Sequence, residues 1–215
     1  IAAAFKTYPL LLLPFMIIHL DSWPNQVTGV IAGLAGWLLP MIPFLSSPAF
    51  SESVFHSSLG GQLLAGNKLF IYPTAYLLFL VWTWTRKEKT AASLLKSFLV
   101  VTLSMLVFTN FHPQWIIWSL PFLLYFLATV PKSWIPVIFL VISYFGVVLL
   151  IPDQFTLVGL FTPLNPLLSS IPPLTDYLFH LPSQLAIVSR LFSYLFLFSC
   201  VYLTWFIHNN SHAKN

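Results

Sequence analysis

Lys6, His112, Gln114 and Arg190 are the side chains whose types and setting could hold an anion or a sugar. An arginine presents a planar fork of donors that matches two oxygens of a phosphate. A lysine offers a compact ammonium for the same charge. A histidine can bind phosphate or sugar oxygens, or carry a proton near neutral pH. A glutamine amide donates to and accepts from sugar hydroxyls. Lys6 and Arg190 lie inside apolar runs, where a cation costs roughly 2.5–3.5 kcal/mol, and less near an end. The chain has 5 acidic residues, none of them in the middle of an apolar run. Cations at such a depth suit an anionic ligand that arrives from the bilayer, and a lipid phosphate has that chemistry.

Each of these residues also has a plain structural reading. Arg190 and Lys6 could snorkel or pair helices, and His112 could cap a helix boundary. Trp115 and Trp118 could anchor at an interface instead of stacking on a sugar. Glu52, Asp153 and Asp176 read as solvated loop carboxylates first, and as an acid or base second. His56 and His180 read likewise as loop histidines. Cys200 is the single cysteine, so no intrachain disulfide and no cysteine metal site are expected. No cluster of His, Cys and carboxylates has metal-ligand spacing, and there is no phosphate-binding glycine loop or Gly-x-Ser-x-Gly element. No metal or other cofactor is expected.

The elements that must position these residues are apolar. The chain is 58% hydrophobic and 7% charged, whereas a soluble domain carries about 25% charge. So few charges cannot cover a water-facing surface. Stretches of roughly 20 apolar residues recur, each long enough to cross ~30 Å of hydrocarbon. The runs are continuous and do not alternate, which predicts an all-α polytopic transmembrane bundle and not a barrel. Taken in order, about seven spans are expected: 1–20, 27–46, 69–85, 91–109, 113–130, 133–151 and 184–207. Long loops occupy 47–68 and 152–183, and 208–215 forms a polar tail. Pro113 fits the first position of a helix. The short polar break from Asn110 to His112 separates two long apolar runs.

Alternating spans put the 21–26 turn, the Arg86-Lys87-Glu88-Lys89 stop, Lys132 and the tail on one side. That side carries Arg86, Lys87, Lys89, Lys132 and Lys214, and the other carries Lys68. The positive-inside rule makes the first side, with the C-terminus, cytoplasmic. Lys6, Arg190 and the break at His112 to Gln114 then share one depth, just under the headgroups of the outer leaflet. The net charge of +4 is spread over the ends of spans, so it marks membrane topology and not nucleic-acid binding. The chain opens on Ile1-Ala2-Ala3-Ala4-Phe5, which reads as the middle of a helix. It is expected to be the C-terminal part of a longer protein, with the N-terminal remainder as its partner.

Two short elements carry a family resemblance. One is Phe5-Lys6-Thr7-Tyr8-Pro9-Leu10 with its continuation to Pro14. The other is Phe111-His112-Pro113-Gln114-Trp115 with Trp118 and Pro121. In these the chain resembles the GT-C superfamily of integral-membrane glycosyltransferases, nearest the polyprenyl-phosphate-mannose-dependent mannosyltransferases. The resemblance implies transfer of a sugar, a hexose such as mannose, from a polyprenyl- or dolichyl-phosphate donor at the outer face. It implies a multi-pass protein in a bacterial or archaeal plasma membrane, or in the ER membrane of a eukaryote. Lys6 and Pro9 match the first element, and His112, Pro113 and Gln114 match the second. Arg190 is added from its chemistry alone. The family's base is an acidic residue of an early outer loop, so no carboxylate here is assigned as catalytic. A flippase or transporter of lipid-linked saccharides, a polysaccharide ligase or polymerase, and a structural subunit of a membrane complex are the alternatives.

Overall fold

Ser22 begins the clearest helix in the chain. Its backbone is extended (φ −129°, ψ 147°) and its side chain accepts the Asn25 N–H at 3.4 Å, which supplies one of the orphan donors of a helix start. Pro24 sits in the first turn, where a missing N–H costs nothing. Gln26 closes the preceding turn by donating its amide to the Leu20 carbonyl at 3.0 Å. A computed structural model describes residues 8–50, 71–86, 89–108, 115–150, 164–172, 174–178 and 182–210. These residues form helices and turns, with no strand among them.

The chain divides into two units, Ile1–Phe111 and His112–Asn215. The first holds a 3-10 turn at Tyr8–Leu11, then α1 (Leu13–Ile18), α2 (Trp23–Leu38), α3 (Ile71–Thr85) and α4 (Ala91–Phe108). Pro9 and Pro14 break the run expected at 1–20, so its described part is a 3-10 turn followed by a short α-helix. Pro40 and Pro43 lack the N–H an α-helix needs, and α2 continues as a 3-10 helix over Leu39–Phe44. Phe15 of α1 is fully buried. Its ring meets Tyr76 edge-on at 5.6 Å and Phe79 at 5.3 Å, both on α3. Tyr76 also donates its hydroxyl to the Leu11 carbonyl at 2.8 Å. Small residues let α2 close on α1: a Cβ added at Gly33 would lie 2.6 Å from a Leu13 methyl.

The second unit holds α5 (Ile116–Thr129), α6 (Trp134–Leu149), a 3-10 helix at Pro166–Ser170, α7 (Leu174–Leu178) and α8 (Pro182–Asn210). A tight turn joins α5 to α6. Lys132 takes a left-handed φ of 61° there, and Ser133 donates its hydroxyl back to the Phe126 carbonyl at 2.9 Å. Along α8, Phe196, Cys200, Leu203 and Ile207 are buried at steps of four, three and four residues, the spacing of one helix face, with Ser199 buried beside them. That face packs on α6. A Cβ at Gly146 of α6 would overlap the Phe192 ring of α8, and the hydroxyls of Ser143 and Ser199 meet at 3.3 Å. The helix of α8 runs through His208 and Asn209 to Asn210, three residues beyond the expected end at 207.

Among the described residues, three helices are long and apolar enough to cross a membrane: Trp23–Phe44 (22 residues), Ala91–Phe108 (18) and Ser183–Asn210 (28). The first has a mean hydropathy of 1.7, yet 6% of its apolar window is buried. Val27, Val30, Ile31, Leu34 and Leu38 all face outward. Water is a poor solvent for such a surface, and lipid is a good one.

Candidate functional site

Of the four residues singled out for a donor site, Arg190 lies among the described residues. Lys6, His112 and Gln114 lie outside them, as do Glu52, His56, Asp153 and His180. Arg190 is exposed on α8, eight residues past Pro182, or about 12 Å along the axis at 1.5 Å per residue. Its neighbours one turn away, Ile187 and Tyr194, are both 68% exposed. The guanidinium thus stems from a face that also presents these two side chains and the exposed Ser193. Such a stem can lie on apolar surface while its head reaches a polar layer. Trp115, next to the break, is buried and stacks on Trp118, with ring centroids 5.2 Å apart and planes 16° apart. That packing favours the structural reading of the pair over an open sugar platform. Asp176 is exposed on the five-residue α7.

The structure also brings together a polar group that the sequence reading passed over. His19, at the end of α1, meets Ser93, in the first turn of α4, with Nε2 to Oγ at 2.9 Å. The Nδ1 of His19 donates to the Phe15 carbonyl at 2.8 Å. A carbonyl oxygen only accepts, so Nδ1 carries a hydrogen. Nε2 then accepts from the Ser93 hydroxyl in the neutral ring, or donates to it in the cationic ring. In the cationic ring the Ser93 hydrogen is left for the Thr90 carbonyl, 2.9 Å away. Thr90 and Ser93 exchange a further pair of bonds. Each backbone N–H donates to the other's hydroxyl oxygen, both at 3.2 Å, which is the reciprocal arrangement that starts a helix.

Beside this knot lies a cavity of about 290 Å³. Leu13, Ile17, Leu20 and Leu94 make its apolar floor, and Gly29 leaves room by having no side chain. His19, Lys89 and Thr90 make its polar rim. Lys89 is exposed. The sequence carried a faint signal for this site: a histidine next to the end of an apolar run, just before the capped turn at Ser22. Chemically the rim offers an ammonium, an imidazole and a hydroxyl. Ser93 is buried and bonded on all sides, so it ties helices together and does not present a nucleophile. Among the described residues no group of His, Cys, Asp and Glu could hold a metal ion. Compared with known proteins, the chain matches no protein-family model, no curated sequence and no solved structure.

Proposed function

We propose that this chain holds the donor in an integral-membrane glycosyltransferase reaction that moves a hexose such as mannose from a polyprenyl phosphate to an acceptor at the outer face of the membrane. The observation that carries the reading is Arg190, an exposed guanidinium two turns into a helix long and apolar enough to cross a membrane. A lipid-linked donor reaches such a position laterally, with its tail along the apolar helices and its phosphate at the guanidinium. The aromatic-His-Pro-Gln-aromatic element of the family resemblance supports the same chemistry.

In this mechanism Arg190 neutralises the phosphate and stabilises the charge that grows as the anomeric C–O bond breaks. His112 and Gln114 contact the phosphate or the sugar hydroxyls. The acceptor hydroxyl gives its proton to a base that is not among these residues, and its oxygen forms the new bond to the anomeric carbon. Polyprenyl phosphate leaves as an anion and needs no protonation.

The test is transfer from a labelled polyprenyl-phosphate hexose by the full-length protein in vesicles. Arg190→Ala is expected to lower turnover by about 10²-fold, the scale of one lost electrostatic contact to a transition state. His112→Ala and Gln114→Ala are expected to weaken it as well, and Lys6→Ala, assayed in parallel, reads whether that cation serves the same donor. Turnover unchanged in Arg190→Ala would remove that residue from the site. Movement of the donor across the bilayer without transfer would favour a flippase and overturn the transferase reading.

A further inference from the structure

The cavity beside His19 and Lys89 has a different character from the Arg190 face. Its floor is aliphatic and its rim is cationic and hydroxylic, a pairing that fits one amphiphile: charge at one end, methylenes at the other. At about 290 Å³ it is at the small end of ligand pockets, which span ~300–1,000 Å³. That is room for a phosphate headgroup and the first methylenes behind it. The rest of a chain would continue over Met16, which lines the cavity and is 48% exposed.

Exposed aromatics lie close in sequence to the residues that line the cavity. Trp23 at the start of α2 is 75% exposed, and Trp82 and Trp84 near the end of α3 are 44% and 72% exposed. Indole rings collect at the level of lipid headgroups. Arg86 lies over the Trp82 ring at 3.7 Å, so a second cation is anchored at the end of α3. Asp21, the acidic residue nearest His19 in sequence, is exposed and does not line the cavity. The charge asymmetry of the loops expects this end on the cytoplasmic side, where the leaflet surface is negative.

We propose that this cavity seats the phosphate headgroup of an anionic phospholipid, with Lys89 and Thr90 meeting the phosphate and Leu13, Ile17, Leu20 and Leu94 holding the methylenes next to it. Thr90 suits the role because its hydroxyl oxygen accepts from Ser93 while its own hydrogen remains able to donate. His19 braces the rim through its bond to Ser93. The site is independent of the transferase reading and stands or falls without it.

The experiment uses the full chain in nanodiscs of phosphatidylcholine with a minor share of phosphatidylglycerol. After mild detergent extraction, native mass spectrometry counts the lipids that stay bound. Phosphatidylglycerol is expected to be enriched on the protein relative to the disc. Lys89→Ala is expected to lower that enrichment about fivefold, the value of one basic residue near an anionic surface, and Lys89→Arg to keep it. Leu94→Phe, which fills the floor without touching charge, is expected to lower it as well. Lys132→Ala, at the turn between α5 and α6, is expected to leave it unchanged. Enrichment that is absent in the wild type, or that survives either Lys89→Ala or Leu94→Phe, overturns the proposal. Inorganic phosphate at millimolar concentration is expected not to displace the lipid. Displacement by phosphate would assign the rim to a free anion instead.

Discussion

The Nε2 of His19 and the Oγ of Ser93 meet at 2.9 Å across 74 residues of sequence. This bond joins the end of α1 to the first turn of α4. Ser93→Ala removes it together with the bond that the Ser93 Oγ accepts from the Thr90 N–H, while the Ser93 N–H keeps its bond to the Thr90 hydroxyl, and is expected to cost roughly 1–2 kcal/mol of stability. A double-mutant cycle with His19→Ala is expected to return a coupling of about 0.5–1.5 kcal/mol. Equilibrium unfolding of the purified protein in mixed detergent checks both values. Zero coupling would mean that the two helices are held by apolar packing alone.

Gly146 and Phe192 pack α6 tightly against α8, since any Cβ at 146 would overlap the aromatic ring. Gly146→Ala is expected to destabilise by about 1–3 kcal/mol, because the ring must leave its rotamer or the helices must part. In a Phe192→Ala background the same substitution is expected to cost much less. Unfolding measurements on the four proteins of that cycle decide it. Equal costs in both backgrounds would place the strain elsewhere.

Ile31 stands near the middle of the apolar stretch Trp23–Phe44 and is 62% exposed. In water, an exposed position accepts a lysine within about 0.5 kcal/mol. In hydrocarbon a lysine near the centre of a span costs ~2.5–3.5 kcal/mol. Ile31→Lys is therefore expected to reduce membrane insertion of this helix strongly, as read by a glycosylation-site insertion assay. Unchanged insertion would argue that lipid does not surround α2.

Cys200 is buried, which leaves a quiet background for labelling with a membrane-impermeant maleimide. Lys89→Cys is expected to react only when the cytoplasmic side is open. Asn165→Cys, at the exposed start of the 3-10 helix Pro166–Ser170, is expected to react from the outside of intact cells. Labelling of both from one side would refute the loop assignment drawn from the basic residues.

Much of the fold class was legible because membrane physics acts on composition. With 58% hydrophobic and 7% charged residues, an all-helical chain with apolar spans follows from the need to satisfy every backbone group without water. Pro9, Pro40 and Pro43 lie within the expected spans 1–20 and 27–46, and the 3-10 segments around them emerged in the structure. The candidate site was less legible. Arg190 could be picked out as a cation in an apolar run. Its exposure on one face of α8, and the packing of Trp115 onto Trp118, could not. His19 carries no distinguishing signal, because a lone histidine near the end of an apolar run has many explanations.

What the sequence determined by itself was the apolar character of this chain and its helical class. Both depend on side-chain hydrophobicity, a local property. Tertiary structure decided which polar groups meet. A helix turns about 100° per residue, so a small difference in rotation or register of α1 against α4 would separate His19 from Ser93 and open the rim beside Lys89. The same holds for α6 and α8, where contact at Gly146 sets the Phe192 ring and the Ser143–Ser199 bond together. Such meetings depend on the packing of whole helices, and no single stretch of the chain encodes them.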